Sequence, residues 1–510
     1  MAIRTFRLVV CFAVVITLIR LDPPAEARQA TPSTGDGTFQ PAACMVTLPP
    51  GFTEGVNASC GYLVVPLKHA EPDGPTINLA VVRLKSTSPH PAEEPLVVLN
   101  GGPGGDMETW LLPSLVMGGY YSLTSLLDRQ DMIIFDQRGA GKSQPALNCP
   151  VANTGQAAGA TPLSLTTPAE ECLRAWQGGG VDLAAFRTAE SAADVESLRT
   201  ALGYSQIDLY GVSYGTRLAL EVMRDFPSRI RSVVLSSPLP PEVDPFAGQL
   251  IGFDGVLTSI FNDCAADPGC DSAFPQLDSK LAAVYEQLNE KSIAVSVSDL
   301  SKIYVDGAEF LGMLYGMIYS GYQALLVPAF ISEMAAGDTS FLTDLAGLFL
   351  NPMPGISLGD FYAVICQDEA PFSDRPSASA AAEAAGVRPM LLNKKFQNLA
   401  WIGNFAICDS IGLTPSSAAE NAPVKSDIPT LIFTGEYDPI TPPSYGQLLT
   451  DDLSNATLID VRGVGHSPLV AGGSCTIGIA AAFLANPAGS LDTTCLTILF
   501  PAFPTSTAGN

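Results

Sequence analysis

Five residues, Gly211-Val212-Ser213-Tyr214-Gly215, limit what this 510-residue chain can become more than any others. They follow the apolar run Ile207 to Tyr210 and precede Thr216 to Phe226, whose apolar residues recur at helical spacing. A chain that leaves a strand and enters a helix in so few residues must turn sharply, and glycines relieve the crowding of such a turn. The turn would hold the Ser213 hydroxyl above the end of a sheet.

Other segments supply that sheet. Ile77 to Leu84, Leu96 to Leu99, Met132 to Phe135 and Val233 to Ser236 are short and almost wholly apolar, the pattern of strands buried on both faces of a parallel sheet. Ser191 to Leu202 alternates acidic and apolar residues at helical spacing, with Gly203 as its stop. Strand, helix, strand is the order of an α/β sheet. After Pro238 the alternation ceases, and a long Ala-, Leu- and Gly-rich block follows with helical periods at Asp278 to Lys291 and Ala308 to Tyr319. Strand-like runs resume at Thr430 to Thr434 and Ala456 to Val461, before a helix near Ile477 to Leu484. Two pieces of sheet flanking a helical block imply a cap over the strand ends, where open α/β sheets place their sites. The expected division is a signal segment 1–27, a flexible leader and N-terminal extension 28–60, core 61–240, helical cap 241–427, core 428–498 and tail 499–510.

Hydrophobic residues make up 47% of the chain and charged residues 15%, as in a packed globular protein. A net charge of -25 argues against a nucleic-acid partner, because phosphate binding needs clustered Lys and Arg. Arg4 and Arg7, the apolar run Leu8 to Ile19 and the small-x-small Ala25-Glu26-Ala27 form an export signal, with cleavage expected after Ala27. That run is shorter than the ~20 residues a membrane span requires, so a secreted protein without a stable span is expected. Cys11 lies in the signal, leaving ten cysteines, an even set that fits disulfides in an oxidising compartment. Pairing neighbours along the chain is the simplest arrangement, although sequence does not fix connectivity. A zinc site is disfavoured, since no Cys-x-x-Cys pair occurs and the histidines are only His69, His90 and His466.

A serine hydroxyl is a weak nucleophile until a base takes its proton and a third group orients that base. His69 precedes the turn sequence Glu71-Pro72-Asp73-Gly74 far upstream, and His90 lies between prolines. His466 follows Ala456 to Val461 and a Gly-Val-Gly turn, which makes it the candidate base. The acid should lie between nucleophile and base, on the loop after a strand. Asp438 fits, with Glu436 the nearest rival and Thr441 placed to bond the acid or its loop. Charge developing on a substrate carbonyl oxygen needs N–H donors. The candidates are Tyr214 and Gly102, the latter in Asn100-Gly101-Gly102-Pro103-Gly104-Gly105. Nucleotide readings fail: G-x-G-x-x-G meets Met107, and a phosphate loop ending in Gly141-Lys142-Ser143 would need glycine at Asp136. No cofactor and no metal is expected.

Together, the glycine-rich loop, Asp136-Gln137-Arg138-Gly139-Ala140-Gly141-Lys142-Ser143, GVSYG, GEYDPITPP and the late Gly-x-Gly-His resemble the secreted tripeptidyl aminopeptidase-like serine hydrolases, relatives of prolyl aminopeptidases. The resemblance covers about Tyr62 to Cys495. It implies an α/β-hydrolase fold: a mostly parallel central sheet with the large helical cap inserted between the nucleophile half and the Asp/His half. It also implies an exopeptidase that releases tripeptides, or single residues, from free N-termini. Asn100 departs from the histidine that prolyl aminopeptidases carry there, which favours the tripeptidyl branch. The family's cap carries acids that bind the substrate amine, and Asp368 and Glu369 are the candidates here. A disulfide between Cys366 and Cys408 would pin them near the site. An esterase or lipase on the same scaffold is the alternative, since fold does not fix substrate. A non-catalytic binding protein is a third reading, and dehalogenase chemistry would need Asp where Ser213 stands.

Overall fold

The computed structural model describes residues 37–115, 123–149, 166–298, 301–319, 322–342, 355–399, 404–498 and 503–504. The signal-like segment 1–27 and most of the tail 499–510 lie outside the described residues.

Short apolar runs assemble into one sheet from β1 (Thr38–Ala42), β2 (Ala58–Pro66), β3 (Thr76–Leu84), β4 (Leu96–Leu99), β5 (Met132–Phe135), β6 (Ile207–Val212) and β7 (Ile230–Ser236). A separate hairpin pairs β8 (Ile293–Ser298) with β9 (Ser301–Val305), and β10 (Thr430–Gly435) and β11 (Ala456–Val461) complete the main sheet. Its nine strands follow the order β1-β2-β3-β5-β4-β6-β7-β10-β11. From β5 to β11 all neighbours are parallel, and β4, β5, β6 and β10 are buried along their whole length. Crossover helices on both faces produce that burial. By contrast β3 is antiparallel to both β2 and β5, although its composition reads as a parallel strand. Apolar composition reports burial on both faces and carries no information about direction.

The leader also departs from expectation. Residues expected to be flexible include β1, which pairs with β2, and Cys44 is bonded to Cys60. Four of the five β1 residues are exposed, so backbone hydrogen bonds hold it and no apolar pattern announces it. The other disulfides are Cys149–Cys172, Cys264–Cys270, Cys366–Cys408 and Cys475–Cys495, each joining neighbours along the chain.

Because β4 lies between β5 and β6, successive connections leave it in opposite directions. The carboxyl ends of β4 and β6 lie side by side, with Leu99 opposite Gly211, and a crevice opens where the winding reverses. Between β7 and β10 the helices Pro245–Ala266, Leu277–Glu290, Gly307–Tyr319 and Leu358–Asp368 build a cap with its own core around Phe253, Phe310, Phe330 and Phe396. The hairpin β8–β9 belongs to this block, which its sequence had marked as wholly helical. Tyr437, from the loop after β10, joins the cap core and donates from its hydroxyl to Asp263 Oδ2 at 2.6 Å. Among the described residues no helix is long and apolar enough to cross a membrane.

Arg138 is buried inside the core. It donates to Asp194 through Nε at 2.8 Å and Nη2 at 2.7 Å, and to the Leu67 and Ala185 carbonyls at 2.8 and 2.6 Å. Arg138→Ala would leave a buried carboxylate with His69 alone beside it and two carbonyls unpaired. A loss of about 3–5 kcal/mol in unfolding free energy is expected, read from urea denaturation with the disulfides intact.

Candidate active site

Ser213 sits between β6 and the helix Tyr214–Asp225 with φ 57° and ψ -128°, a conformation that is strained for any residue with a Cβ. The flanking glycines are enforced sterically. A Cβ on Gly215 would run into the Leu99 carbonyl of β4, and one on Gly211 would stand 2.5 Å from the Gly215 carbonyl oxygen. The turn thus packs directly on the neighbouring strand and lifts Ser213 into a cleft it shares with His466, Thr441 and Glu369.

His466 and Asp438 come together from separate loops. His466 Nδ1 lies 2.8 Å from Asp438 Oδ2, so the acid fixes the proton on Nδ1 and leaves Nε2 as the acceptor. Asp438 is fully buried and surrounded by donors. Oδ1 accepts from the Ile440 and Thr441 amides, both at 3.0 Å, and Oδ2 from the Ser237 and Thr441 hydroxyls, both at 2.7 Å. Burial by itself would raise this carboxyl, but the His466 ring and these donors outweigh it and hold the group below the ordinary carboxylate range. Thr441 fulfils its expected part. Ser237, just past β7, escaped the sequence analysis; its hydroxyl also accepts from the Ser467 amide at 2.9 Å and so ties acid and histidine loops to the sheet end. The rival Glu436 turns away, accepting from the Gly463 amide at 2.8 Å and bracing the turn before His466. Tyr319, at the end of a cap helix, stacks on the His466 ring with centroids 5.1 Å apart. No sequence signal pointed to that contact, which joins residues far apart in the chain.

The candidate oxyanion donors meet at the same place. Tyr214 opens a helix, where the first amides have no partner within the helix, and Gly102, with φ +118°, lines the same cleft. The Asn100 side chain shapes the glycine loop by accepting from the Gly101 amide at 2.9 Å and donating to the Asp106 carbonyl at 3.1 Å. Below it, Asp136 accepts from the Met107 and Lys142 amides, both at 2.7 Å. Burial pushes the Asp136 carboxyl up to about 7. The segment that failed as a nucleotide loop is therefore a clamp on the glycine loop. The cap touches this loop directly, with the Asp106 amide donating to Gly355 and the Ser357 amide to Gly104.

Asp368 and Glu369, expected to act together on substrate, are separated by the end of the helix Leu358–Asp368. Asp368 turns into the interface between cap and core. Its carboxylate accepts from the Thr188 amide at 2.8 Å, the Thr188 hydroxyl at 2.5 Å and the Ser416 hydroxyl. Three donors already occupy it, and it is not among the residues that line the cleft with Ser213. Glu369 does line it, 99% buried in its side chain. Arg217 Nη1 stands 3.0 Å from Glu369 Oε1 but off the hydrogen-bonding direction, and neither carboxylate oxygen has a hydrogen-bond partner. Burial first, then the charges of Asp368 and Asp244, push the Glu369 carboxyl up to about 7 against the pull of Arg217.

Strand order, the turn at Ser213 and the loops of Asp438 and His466 in that chain order define an α/β-hydrolase fold. The family model described as alpha/beta hydrolase fold matches residues 94–280, and the one described as TAP-like protein matches residues 394–495. Serine protease Hip1 of Mycobacterium tuberculosis is 26% identical over 487 residues, covering 90% of this chain and 91% of that protein. Tripeptidyl aminopeptidase of Streptomyces lividans is 28% identical over 331 residues, 61% of this chain and 60% of that protein. Carboxylesterase B of Mycobacterium tuberculosis is 28% identical over 449 residues, 82% of each.

Proposed function

We propose that this protein is an exported serine exopeptidase that cleaves amide bonds near free N-termini. Ser213 attacks the carbonyl carbon while His466 Nε2 takes its proton and later delivers it to the leaving amine. Asp438 holds the imidazole and stabilises its charged form, and the Tyr214 and Gly102 amides receive the oxyanion. The observation that carries the peptidase reading is the Glu369 carboxylate, buried in the same cleft as Ser213 with both oxygens lacking hydrogen bonds. A substrate without an amine would leave it with the Arg217 guanidinium alone, whereas a protonated N-terminus would supply the hydrogen bonds that both oxygens lack. The names of the serine protease and aminopeptidase relatives support the same reading. Export is supported by the N-terminal signal pattern and by five disulfides.

A carboxylesterase is the second reading, favoured by the relative of that name and by the mainly apolar wall of the cleft. The deciding experiment is cleavage of fluorogenic amides with free and acetylated N-termini, beside nitrophenyl esters, by the wild type and Ser213→Ala. Free-amine amides are expected to lead in kcat/KM. A preference for acetylated esters by orders of magnitude would sink the peptidase reading.

The acidity of Glu369 supplies a pH signature. With its carboxyl near 7, the anionic form that binds an ammonium is lost as pH falls through that value. The substrate amine loses its own charge above about 8. For free-amine substrates kcat/KM should therefore peak between about 7 and 8 and fall on both sides, more steeply on the acid side than for acetylated substrates, whose acid limb comes from protonation of the catalytic base alone, and Glu369→Gln should remove that difference. Identical pH profiles for free and acetylated substrates would show that Glu369 does not meet the amine.

A further inference from the structure

The cap helix Gly307–Tyr319 reads GAEFLGMLYGMIY, apolar on nearly every side, with Glu309 its one charged residue. Such a helix is a buried one, and Phe310, Leu311, Leu314, Met317 and Ile318 are indeed 1% exposed or less. Phe310 meets the Phe330 ring at 5.3 Å, which fixes the helix within the cap core. Tyr315 and Tyr319, four residues apart, share one face of it. Tyr315 stands edge-on to Phe253 at 5.3 Å, and Tyr319, at the last turn, covers the His466 ring. Burial first, then the negative charge of Asp438, push both phenols up, so both rings stay neutral wherever the triad works.

The cap brings Gln249, Ile365, Glu369 and Tyr319 to the wall of the cleft, and Tyr319 among them faces the base. The planes of the Tyr319 and His466 rings are 26° apart and their centroids 5.1 Å. A cation within about 6 Å of an aromatic centroid is drawn to the negative face of the ring, most strongly where water is excluded. The His466 side chain is only 5% exposed, which meets that condition. A neutral imidazole gains little beyond packing from such a neighbour. As Ser213 Oγ bonds to the carbonyl carbon its proton passes to His466 Nε2, and the ring then carries a full positive charge. Asp438 meets that charge at the ring edge, with the Thr441 hydroxyl 3.4 Å from Nδ1, and Tyr319 meets it at the face. An interaction that strengthens as the transition state forms raises kcat, whereas one equally strong before it does not.

We propose that Tyr319 is a positioning residue for the catalytic base: its ring, delivered by the cap, holds the His466 imidazole in place and stabilises the imidazolium that forms as Ser213 attacks. The inference rests on the roles given to Ser213 and His466 and is independent of whether the substrate is a peptide or an ester. It gives the cap a part in the chemistry as well as in substrate recognition.

The test is hydrolysis of nitrophenyl butyrate across pH, corrected for the rate of Ser213→Ala. This ester has no amine for Glu369 to meet, and Glu369 is common to every variant compared. Tyr319→Leu keeps an apolar side chain at the position and removes the aromatic face. It is expected to lower kcat by about three- to thirtyfold with KM changed less than about twofold, and to move the acid limb of kcat/KM down by about 0.5–1.5 pH units, because an imidazolium without its aromatic neighbour gives up its proton more readily. Tyr319→Phe keeps the face and is expected to stay within about twofold of the wild type with its acid limb unmoved. An unmoved acid limb in Tyr319→Leu would reduce the contact to packing and overturn the proposal. So would a Tyr319→Phe variant as slow as Tyr319→Leu, which would move the effect to the hydroxyl. Should Tyr319→Leu fail to fold, phenylalanines of increasing ring fluorination at position 319 keep the shape and weaken the negative face, and an equal kcat across that series overturns it instead. If the wild type hydrolyses the ester no faster than Ser213→Ala, the assignment of Ser213 itself falls, an outcome distinct from any ranking of the Tyr319 variants.

Discussion

Ser213→Ala is expected to lower kcat by about 10⁴-fold or more and to abolish labelling by a fluorophosphonate probe, with little change in the melting temperature. The size follows from the role: without the oxygen no acyl-enzyme forms, and what remains is the help of oxyanion donors and binding alone. Stability should hold because alanine, like serine, carries a Cβ and bears the same strain at φ 57°. Retention of more than a hundredth of wild-type kcat would exclude Ser213 as the nucleophile.

Asp438→Asn is expected to lower kcat by about 10³–10⁴-fold with a smaller effect on KM. Donors meet both oxygens of Asp438, with the His466 ring, Ser237 and Thr441 hydroxyls at one and two backbone amides at the other. An asparagine turned one way puts its NH2 against the imidazole and reverses the tautomer. Turned the other way, it faces two amide donors. Each orientation loses hydrogen bonds, and the first also leaves Nε2 unable to accept the serine proton. Glu436→Gln, which touches the Gly463 amide, should cost less than about tenfold. The reverse ranking in steady-state kinetics would move the acid to Glu436.

Parts of this site were legible because they depend on the chain close by. The glycines around Ser213 answer a clash with the next residues and the adjacent strand, and such sterics leave a short motif. Asp438 and His466 could be chosen by chain order and by the strands before them. Thr441, three residues after the acid, followed from the same local geometry. Direction in the sheet was not legible: β3 is as apolar as a parallel strand and runs antiparallel, while β1 is held by backbone bonds and is mostly exposed. Asp368 and Glu369 were found as a pair but could not be told apart, since the last turn of a helix sends adjacent side chains in different directions.

The sequence by itself determined the strained serine turn, the strand ends that carry Asp438 and His466, and the division into a sheet with a helical insertion. These rest on backbone sterics, apolar periodicity and chain order, all of which act over a few residues. Only the tertiary structure decided which acid faces the cleft, that Ser237 braces the acid and histidine loops, and that Tyr319 and Gln249 reach the site from the cap. Each of those contacts joins segments far apart in the chain, and long-range packing, with the desolvation it imposes on Glu369, leaves no local pattern to read.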